Sequence, residues 1–320
     1  MRRYTRKIAF FLSCAMLSAA CAAEPEIIPF VSSAKSAAHP GPIASAMEIS
    51  RLLETLTPRI LKFDPNLSQL NFQEAVLVLG DKDGFCSGVA VSKTAVITAG
   101  HCVCDDIQDR VFLGSDYSLS GTTLKIDRSR TKNKLDCAHM TAPGKSYPPG
   151  DTRDVAILYL EESLPFDPRP IATESEEADA LKKEPGILMV VGYGNTQDLI
   201  KYPARVKRAI RLNLLTLKCE RTANEIGGQQ NDSEAFGCQA GAEMTSSAAY
   251  DGGPCEGDSG GPNYVGPKND PRLVAITSRL ASFRRCGERS IQVRLGGDVY
   301  AWLKENIADL KTSATTGKSK

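Results

Sequence analysis

Short apolar runs separated by turn clusters fill the chain from Ala75 to Leu160. This alternation is typical of an antiparallel β-barrel rather than of βαβ units. Further runs at 187–191, 206–217 and 273–278 predict strands of a second barrel. The acidic, proline-punctuated segment 161–185 is predicted to link the two. The pattern therefore predicts an all-β protein.

Two other segments give no clear strand pattern. Residues 127–151 contain repeated Pro and Gly and predict a long surface loop. Residues 220–253 are polar and rich in Gly, Ala and Ser, and we assign them to a long loop as well. At the end of the chain, residues 311–320 are predicted to form a disordered tail.

Residues 1–23 have the pattern of a secretory signal peptide. A basic start precedes an apolar stretch from Ile8 to Leu17, and small residues around Cys21 suit cleavage. The apolar stretch is too short for a membrane anchor. A bacterial lipoprotein signal with Cys21 as the lipid anchor is an alternative, although Ser18 stands where that pattern usually has leucine.

Residues 24–59 are predicted to be a propeptide or an N-terminal extension. The first part, rich in Ala, Ser and Pro, indicates a flexible spacer. From Ser45 a capping box with Glu48 and apolar residues at helical spacing predict a helix. Pro58 should end this helix, and its apolar stripe is expected to pack on the following domain.

Composition narrows the classes of function. The 320 residues carry a net charge of +1, so no strong field favours nucleic acid or anionic membranes as partners. Hydrophobic residues at 42% are ordinary for a globular protein. Ten cysteines in a chain with a secretory start predict disulfides in an oxidising compartment, outside the cell or in the periplasm.

The stretch from Cys255 to Pro262, CEGDSGGP, places a serine among glycines. A serine hydroxyl is a poor nucleophile unless a base removes its proton and donors stabilise the oxyanion. Gly257 permits a tight turn beside Ser259, so the N–H groups of both residues can point at one spot. A glycine-rich surface turn is the alternative interpretation.

Two other motifs supply partners for this serine. His101 follows the apolar run Val96–Ala99, and Asp154 opens another apolar run. Taken singly, such a histidine is more often structural, and such an aspartate is usually a turn residue. In chain order the three residues are His101, Asp154 and Ser259.

This order and these motifs resemble the chymotrypsin/trypsin family of serine proteases. The likeness covers about residues 60 to 306. It extends to the segment FCSG at 85–88, to GYG at 192–194, where the family usually has Gly-Trp-Gly, and to VYAWL at 299–303. It implies two antiparallel six-stranded β-barrels with a C-terminal helix, in a domain spanning 60–310.

The resemblance also implies a function. The protein would be a secreted serine endopeptidase that acts on protein or peptide substrates without a metal or cofactor. Ser259 would be the nucleophile, His101 the base and then the acid, and Asp154 the group that orients the imidazole. Backbone N–H groups of Gly257 and Ser259 would form the oxyanion hole.

Eight cysteines remain after Cys14 and Cys21 of the signal region, and the sequence alone allows 105 pairings. The resemblance implies the bonds Cys86–Cys102, Cys219–Cys238 and Cys255–Cys286, which leaves Cys104 with Cys137. Metal binding at 102–104 is the alternative, but no matching Cys/His pair lies at zinc spacing.

By the same resemblance, Gly253 lies at the floor of the specificity pocket, where an aspartate would select Lys or Arg. Leu280, in the segment Ser278–Leu280, and Ser290 align with its walls. Without a floor carboxylate a buried basic side chain would be unpaired. We therefore expect small or medium apolar side chains before the scissile bond, unless Leu280 belongs to the core and the pocket is open.

Activation is the last expectation. Cleavage after Arg59 would free the Ile60 ammonium to pair with Asp258 and shape the oxyanion turn. The following Leu-Lys-Phe stands where the family usually has Val-Gly-Gly, so an extension that stays attached is the competing interpretation. A catalytically silent, protease-like binding protein is the alternative function.

Overall fold

A computed structural model defines the fold over most of the chain that follows the predicted extension. The predicted signal peptide with Cys21, the residues Arg59 and Ile60, and Cys286 lie outside the described part, so the expectations on them stay predictions. The described residues are 72–105, 108–119, 121–139, 152–195, 205–219, 222–226, 229–231, 237–248, 252–281 and 289–311.

Strands dominate the described residues. The first seven are β1 (Ala75–Gly80), β2 (Phe85–Ala90), β3 (Ala95–Thr98), β4 (Gln108–Leu113), β5 (Thr122–Lys125), β6 (Lys132–Asn133) and β7 (Ala156–Tyr159). The next eight are β8 (Ile187–Gly192), β9 (Arg208–Thr216), β10 (Thr222–Ile226), β11 (Gln229–Asn231), β12 (Glu243–Ala248), β13 (Pro262–Val265), β14 (Arg272–Leu280) and β15 (Arg289–Arg294). Among the described residues there are also three α-helices, α1 (Cys102–Asp105), α2 (Glu174–Lys183) and α3 (Gly297–Asn306), and two short 3-10 helices, Arg128–Arg130 and Cys137–His139.

The first seven strands form one curled antiparallel sheet in the order β5-β4-β1-β2-β3-β7-β6. A bridge between Ile126 and Leu160 joins the ends of β5 and β7, so the sheet bends back on itself. The prediction of a barrel is confirmed in outline, but this half has seven strands. The extra strand, β6, lies in the segment 127–151, which the sequence analysis assigns to a loop. The strand was missed because its two residues are polar and give no apolar pattern.

The second sheet is a closed six-stranded barrel in the order β12-β15-β14-β13-β8-β9. Strand β12 comes from the segment 220–253, which the sequence assigned to a loop. Its Thr245 and Ser246 are buried although they are polar, and this hid the strand from a hydrophobicity pattern. The short strands β10 and β11 pair with each other.

Helix α2 lies within the predicted link 161–185. Thr173 and Glu176 form a capping box at its start, which supplies two of the hydrogen bonds that the first turn of a helix lacks. Acidic residues occupy the first turn and Lys182 and Lys183 the last, as the helix dipole favours. The linker is therefore partly helical.

One apolar core joins the two sheets and the C-terminal helix. It includes Ile97 of the curled sheet, Val191 and Leu273 of the barrel, and Val299 and Leu303 of α3. All five side chains are essentially inaccessible to solvent. The predicted C-terminal helix is thus present and packs where the two halves meet. No helix in the described part of the chain is long and apolar enough to cross a membrane.

Three disulfides link described cysteines: Cys86–Cys102, Cys104–Cys137 and Cys219–Cys238. Cys255 is also disulfide-bonded, and its pairing with Cys286 stays a prediction. The sulfur atoms of Cys86 and Cys102 lie near a ring nitrogen of His101. Because both sulfurs belong to one disulfide, this group cannot act as a thiolate metal site.

Removal of the Cys104–Cys137 disulfide should lower the free energy of unfolding. The bond closes a loop with a sequence separation of 33 residues, for which the chain-entropy account gives about 3–4 kcal/mol. The double replacement Cys104→Ala/Cys137→Ala should therefore lower the free energy of unfolding by that order, as measured by denaturant titration. An unchanged midpoint would show that the bond does not constrain the unfolded chain. Thr173→Ser, which keeps the α2 cap, serves as a neutral control.

Candidate active site

His101 is held at the end of strand β3 by close packing on both sides. Gly100 precedes it, and a Cβ on this glycine would lie 2.6 Å from the Cβ of Leu135 and 2.7 Å from Oδ1 of Asn133. Only glycine fits there. Cys102 follows, and its disulfide fixes the start of α1 to strand β2. The histidine side chain is one quarter exposed, so one edge of the ring can meet solvent or a ligand.

Asp154 lies beside His101 because β7 pairs with β3, with Ala156 opposite Thr98. Its side chain is fully buried. Asp154 Oδ1 accepts a hydrogen bond from the backbone N–H of His101 at 2.8 Å, and Oδ2 lies 2.9 Å from His101 Nδ1. The carboxylate therefore fixes both the backbone and the ring of the histidine.

A third donor reaches Asp154 from the barrel. Ser278 Oγ donates to Asp154 Oδ2 at 2.5 Å. Burial alone would raise the pKa of Asp154, but the charge of His101 and the hydrogen bonds from His101 and Ser278 outweigh it and hold the pKa well below its usual range. Asp154 is therefore ionised at neutral pH despite its burial.

Ser259 sits on a tight turn of the barrel, between Cys255 and β13. Gly257 and Gly260 have φ values of +92° and +80°, which side chains other than glycine rarely tolerate. A Cβ on Gly260 would also lie 2.6 Å from the backbone N of Ala99 in the curled sheet. Ser259 Oγ lies 2.9 Å from Nε2 of His101 and 3.3 Å from the backbone O of Ser278.

Ser87 of β2, in the curled sheet, also forms hydrogen bonds with the turn that carries Ser259. The N–H of Ser87 donates to the backbone O of Ser259 at 2.8 Å, and its hydroxyl donates to the backbone O of Gly257 at 2.8 Å. The N–H of Tyr193 donates to the same hydroxyl at 2.9 Å. The peptide groups next to the expected oxyanion donors, Gly257 and Ser259, are thus fixed by hydrogen bonds.

Two of the three expected pocket residues, Leu280 and Ser290, are neighbours on the barrel. Leu280 of β14 is directly opposite Ser290 of β15, while Gly253 is buried in the segment before the serine turn. Ser290 Oγ lies 2.9 Å from Ser246 Oγ, and Gln292 Nε2 donates to both hydroxyls at 2.7 and 2.9 Å. This small cluster of uncharged polar groups was not expected from the sequence.

Asp258, next to the serine, turns inward rather than toward the site. Its carboxylate accepts hydrogen bonds from the N–H groups of Gly194 at 2.8 Å and Cys255 at 2.9 Å. It faces a cavity lined by Val190, Ile210, Gly192, Gly194 and Arg208. Burial raises the pKa of Asp258 to about 6, although both hydrogen bonds and the charge of Arg208 act against this.

Sequence reasoning missed two contributors to the site. Ser278 was expected as a pocket wall, not as a donor to Asp154, and Ser87 was noted only as part of a motif. Neither residue has a local signal for its role, because each acts on a residue more than a hundred positions away in the chain. Only the fold brings them together.

Comparisons with known proteins agree with this geometry. The family model described as Trypsin matches residues 67–295. Trypsin 5G1 of Aedes aegypti is 26% identical over 76% of this chain and 82% of its own length. A trypsin of Saccharopolyspora erythraea is 26% identical over 76% of this chain and 96% of its own length. Hypodermin-A of Hypoderma lineatum is 29% identical over 58% of this chain and 65% of its own length.

The family match spans both sheets and contains His101, Asp154 and Ser259, which lie in contact at the junction of the sheets. The chain therefore belongs to the trypsin family of serine proteases and is a hydrolase.

Proposed function

We propose that Ser259, His101 and Asp154 form the catalytic triad of a secreted endopeptidase. The observation that carries the proposal is the 2.9 Å contact between His101 Nε2 and Ser259 Oγ, on a ring whose other nitrogen faces a buried carboxylate. A neutral imidazole with its proton on Nδ1 donates to Asp154 and accepts the Ser259 proton at Nε2.

The chemistry then follows from this arrangement. Ser259 Oγ attacks the peptide carbonyl while His101 takes its proton, and the ionised Asp154 stabilises the imidazolium that forms. His101 next protonates the leaving amine, and water repeats the steps on the acyl-enzyme. Backbone N–H groups of Gly257 and Ser259 stabilise the oxyanion, and the hydrogen bonds from Ser87 to this turn support that role.

The triad predicts a loss of activity without a loss of fold. Ser259→Ala and His101→Ala should each lower kcat by about a millionfold, since the two residues act as a unit. Initial rates on casein and circular dichroism of the same samples measure both properties. Ser129→Ala, which alters an exposed serine in the short 3-10 helix Arg128–Arg130 between β5 and β6, should retain parent activity. A Ser259→Ala protein that cleaves casein at the parent rate would refute the assignment.

For specificity, we propose small or medium apolar side chains before the scissile bond. Gly253 contributes no carboxylate at the expected floor, and the polar groups beside Ser290 are uncharged and bonded to one another. A Lys or Arg side chain entering there would meet no opposite charge from these residues. Leu280, partly buried opposite Ser290, would narrow the entrance.

A peptide library tests this pocket. Substrates with Ala, Val or Leu before the cut should be cleaved with a higher kcat/KM than those with Lys or Arg. Leu280→Gly should widen the pocket and shift the preference toward larger side chains. A dominant preference for Arg in the parent enzyme would mean that the alignment of Gly253 with the pocket floor is wrong.

For activation, we propose that cleavage between Arg59 and Ile60 completes the site. Asp258 faces a cavity with the apolar walls Val190 and Ile210, and its raised pKa is that of a buried carboxylate in need of a cation. The Ile60 ammonium would supply that cation. The competing account is that Arg208, which lines the same cavity, suffices and that the extension remains attached.

Two variants separate these accounts. Arg59→Gln should yield a longer, weakly active protein if cleavage is needed. Asp258→Asn should lose most activity, because removing one partner of a buried charge pair typically costs ~3–5 kcal/mol. Mass spectrometry of the active form gives its first residue. A fully active enzyme that still begins near Ala23 would end the activation proposal and favour Arg208.

The disulfides and the family both suit an extracellular site of action. Together with the signal-like residues 1–23, they support export from the cell, and protein substrates would then be met outside it. Sequencing the N-terminus of the exported protein would test the predicted cleavage near Cys21.

A further inference from the structure

A buried ion pair lies directly behind the triad. Arg279 follows Ser278 on β14, and Glu243 begins β12. The two side chains pair through two parallel hydrogen bonds, Nη1 to Oε1 at 2.7 Å and Nη2 to Oε2 at 2.8 Å. Both are nearly inaccessible, with side-chain exposures of 6% and 0%. Arg279 Nη2 also donates to the backbone O of Gly237 at 2.7 Å, so the guanidinium is fixed in place.

The same guanidinium contacts Ser278. Arg279 Nη1 donates to Ser278 Oγ at 3.0 Å, while Ser278 Oγ donates to Asp154 Oδ2 at 2.5 Å. A hydroxyl has one proton and two acceptor positions. Because Arg279 can only donate, it occupies an acceptor position and leaves the hydroxyl proton for Asp154. The hydroxyl therefore has one favoured orientation, the one in which it donates to Asp154.

Stability does not account for this arrangement. A buried ion pair loses much of its attraction to the cost of removing both charges from water, and apolar residues of similar volume often serve as well. The pair does have a local effect on charge. On the curled sheet Asp154 contacts Ser278 and His101 contacts Asp154, while on the barrel Arg279 contacts Ser278 and Glu243 contacts Arg279. Asp258 precedes Ser259 in the chain. Because Arg279 and Glu243 carry opposite charges in direct contact, the pair adds no net charge beside Ser278.

We propose that Arg279, anchored by Glu243, is a positioning residue that acts through Ser278 on Asp154 and His101. This inference rests on the proposed triad. It adds that hydrolysis depends on a buried pair of opposite charges that reaches Asp154 through the Ser278 hydroxyl. Arg279 fixes the Ser278 hydroxyl, and Glu243 prevents the positive charge of Arg279 from disfavouring the imidazolium.

Opposite substitutions within the pair test the proposal. In Glu243→Gln the Arg279 charge is no longer balanced, so the acid limb of the profile of kcat/KM against pH should move to lower pH. In Arg279→Met the Glu243 charge favours the imidazolium, so the limb should move to higher pH. Each shift should be on the order of half a pH unit. Asp258 is unchanged in both variants and contributes equally to both profiles.

The rates give a second readout. Arg279→Met should lower kcat by at least about tenfold while KM stays within about twofold, as expected for an interaction that serves the transition state. Glu243→Gln should lower kcat by about threefold, the factor that corresponds to half a unit in the pKa of the imidazole. Arg272→Met is the matched control. Arg272 lies on the same strand but pairs near the surface with Asp270 at 3.0 Å, so its replacement should leave kcat and the acid limb unchanged.

The double variant Arg279→Met/Glu243→Met covers the case in which the single variants fail to fold. It removes both charges, so it should fold and keep the acid limb near the parent position, yet retain the loss of kcat because Ser278 is no longer fixed. A folded double variant with parent kcat would overturn the proposal. Acid limbs of the two single variants that move in the same direction would also overturn it.

Labelling by a phosphonate probe separates this proposal from the triad itself. If the parent hydrolyses peptides and Ser259 is labelled, a failure of the variants to behave as described refutes only the role of Arg279. If the parent hydrolyses peptides while Ser259 is not labelled, the triad assignment fails and the positioning role fails with it.

Discussion

The fully buried carboxylate of Asp154 is the constraint on which the rest of the structure depends. An ionised group without solvent is stable only when donors surround it. Here His101 supplies donors from the curled sheet, and Ser278 supplies one from the barrel. Neither half of the molecule supplies all of these hydrogen bonds to Asp154 alone. The geometry of the site therefore depends on how the two sheets pack.

The same junction explains why Ser259 is held so closely to His101. Ser259 belongs to the barrel, yet its turn is bonded to Ser87 of the curled sheet. A residue larger than glycine at Gly260 would press against Ala99 beside the histidine. A shared apolar core with α3 across it supports these contacts. Positioning within a fraction of an ångström, which this chemistry requires, therefore depends on burial far from the reacting atoms.

Much of this could be predicted from the sequence, and the reasons are physical. Apolar runs such as Ala75–Gly80 indicate strands directly, because a buried strand needs hydrophobic side chains. Gly257 indicates the tight turn beside Ser259, where the structure gives it a positive φ. The triad residues lie in short motifs whose chemistry is specific. Tyr193 of the GYG segment joins the two halves of the molecule. Its ring is buried, and its hydroxyl donates to the backbone O of Ala75 at 3.2 Å.

What the sequence did not predict depends on contacts between distant segments. Strand β12 buries Thr245 and Ser246, and polar residues of this kind are ordinarily taken as loop. The link 161–185 contains a helix that begins with a capping box of Thr173 and Glu176. The prolines before this helix favoured a linker over a helix in the sequence analysis. The Arg279–Glu243 pair joins residues 36 positions apart, and no local pattern marks either one as buried.

In the proposed mechanism His101 makes Ser259 nucleophilic. The most direct measurement is the reaction of the folded, exported protein with an organophosphonate, followed by peptide mapping. One covalent adduct should form, on Ser259, and it should form neither in His101→Ala nor after denaturation. If the protein hydrolyses peptides while Ser259 stays unmodified, or is labelled equally well without His101, this mechanism is wrong.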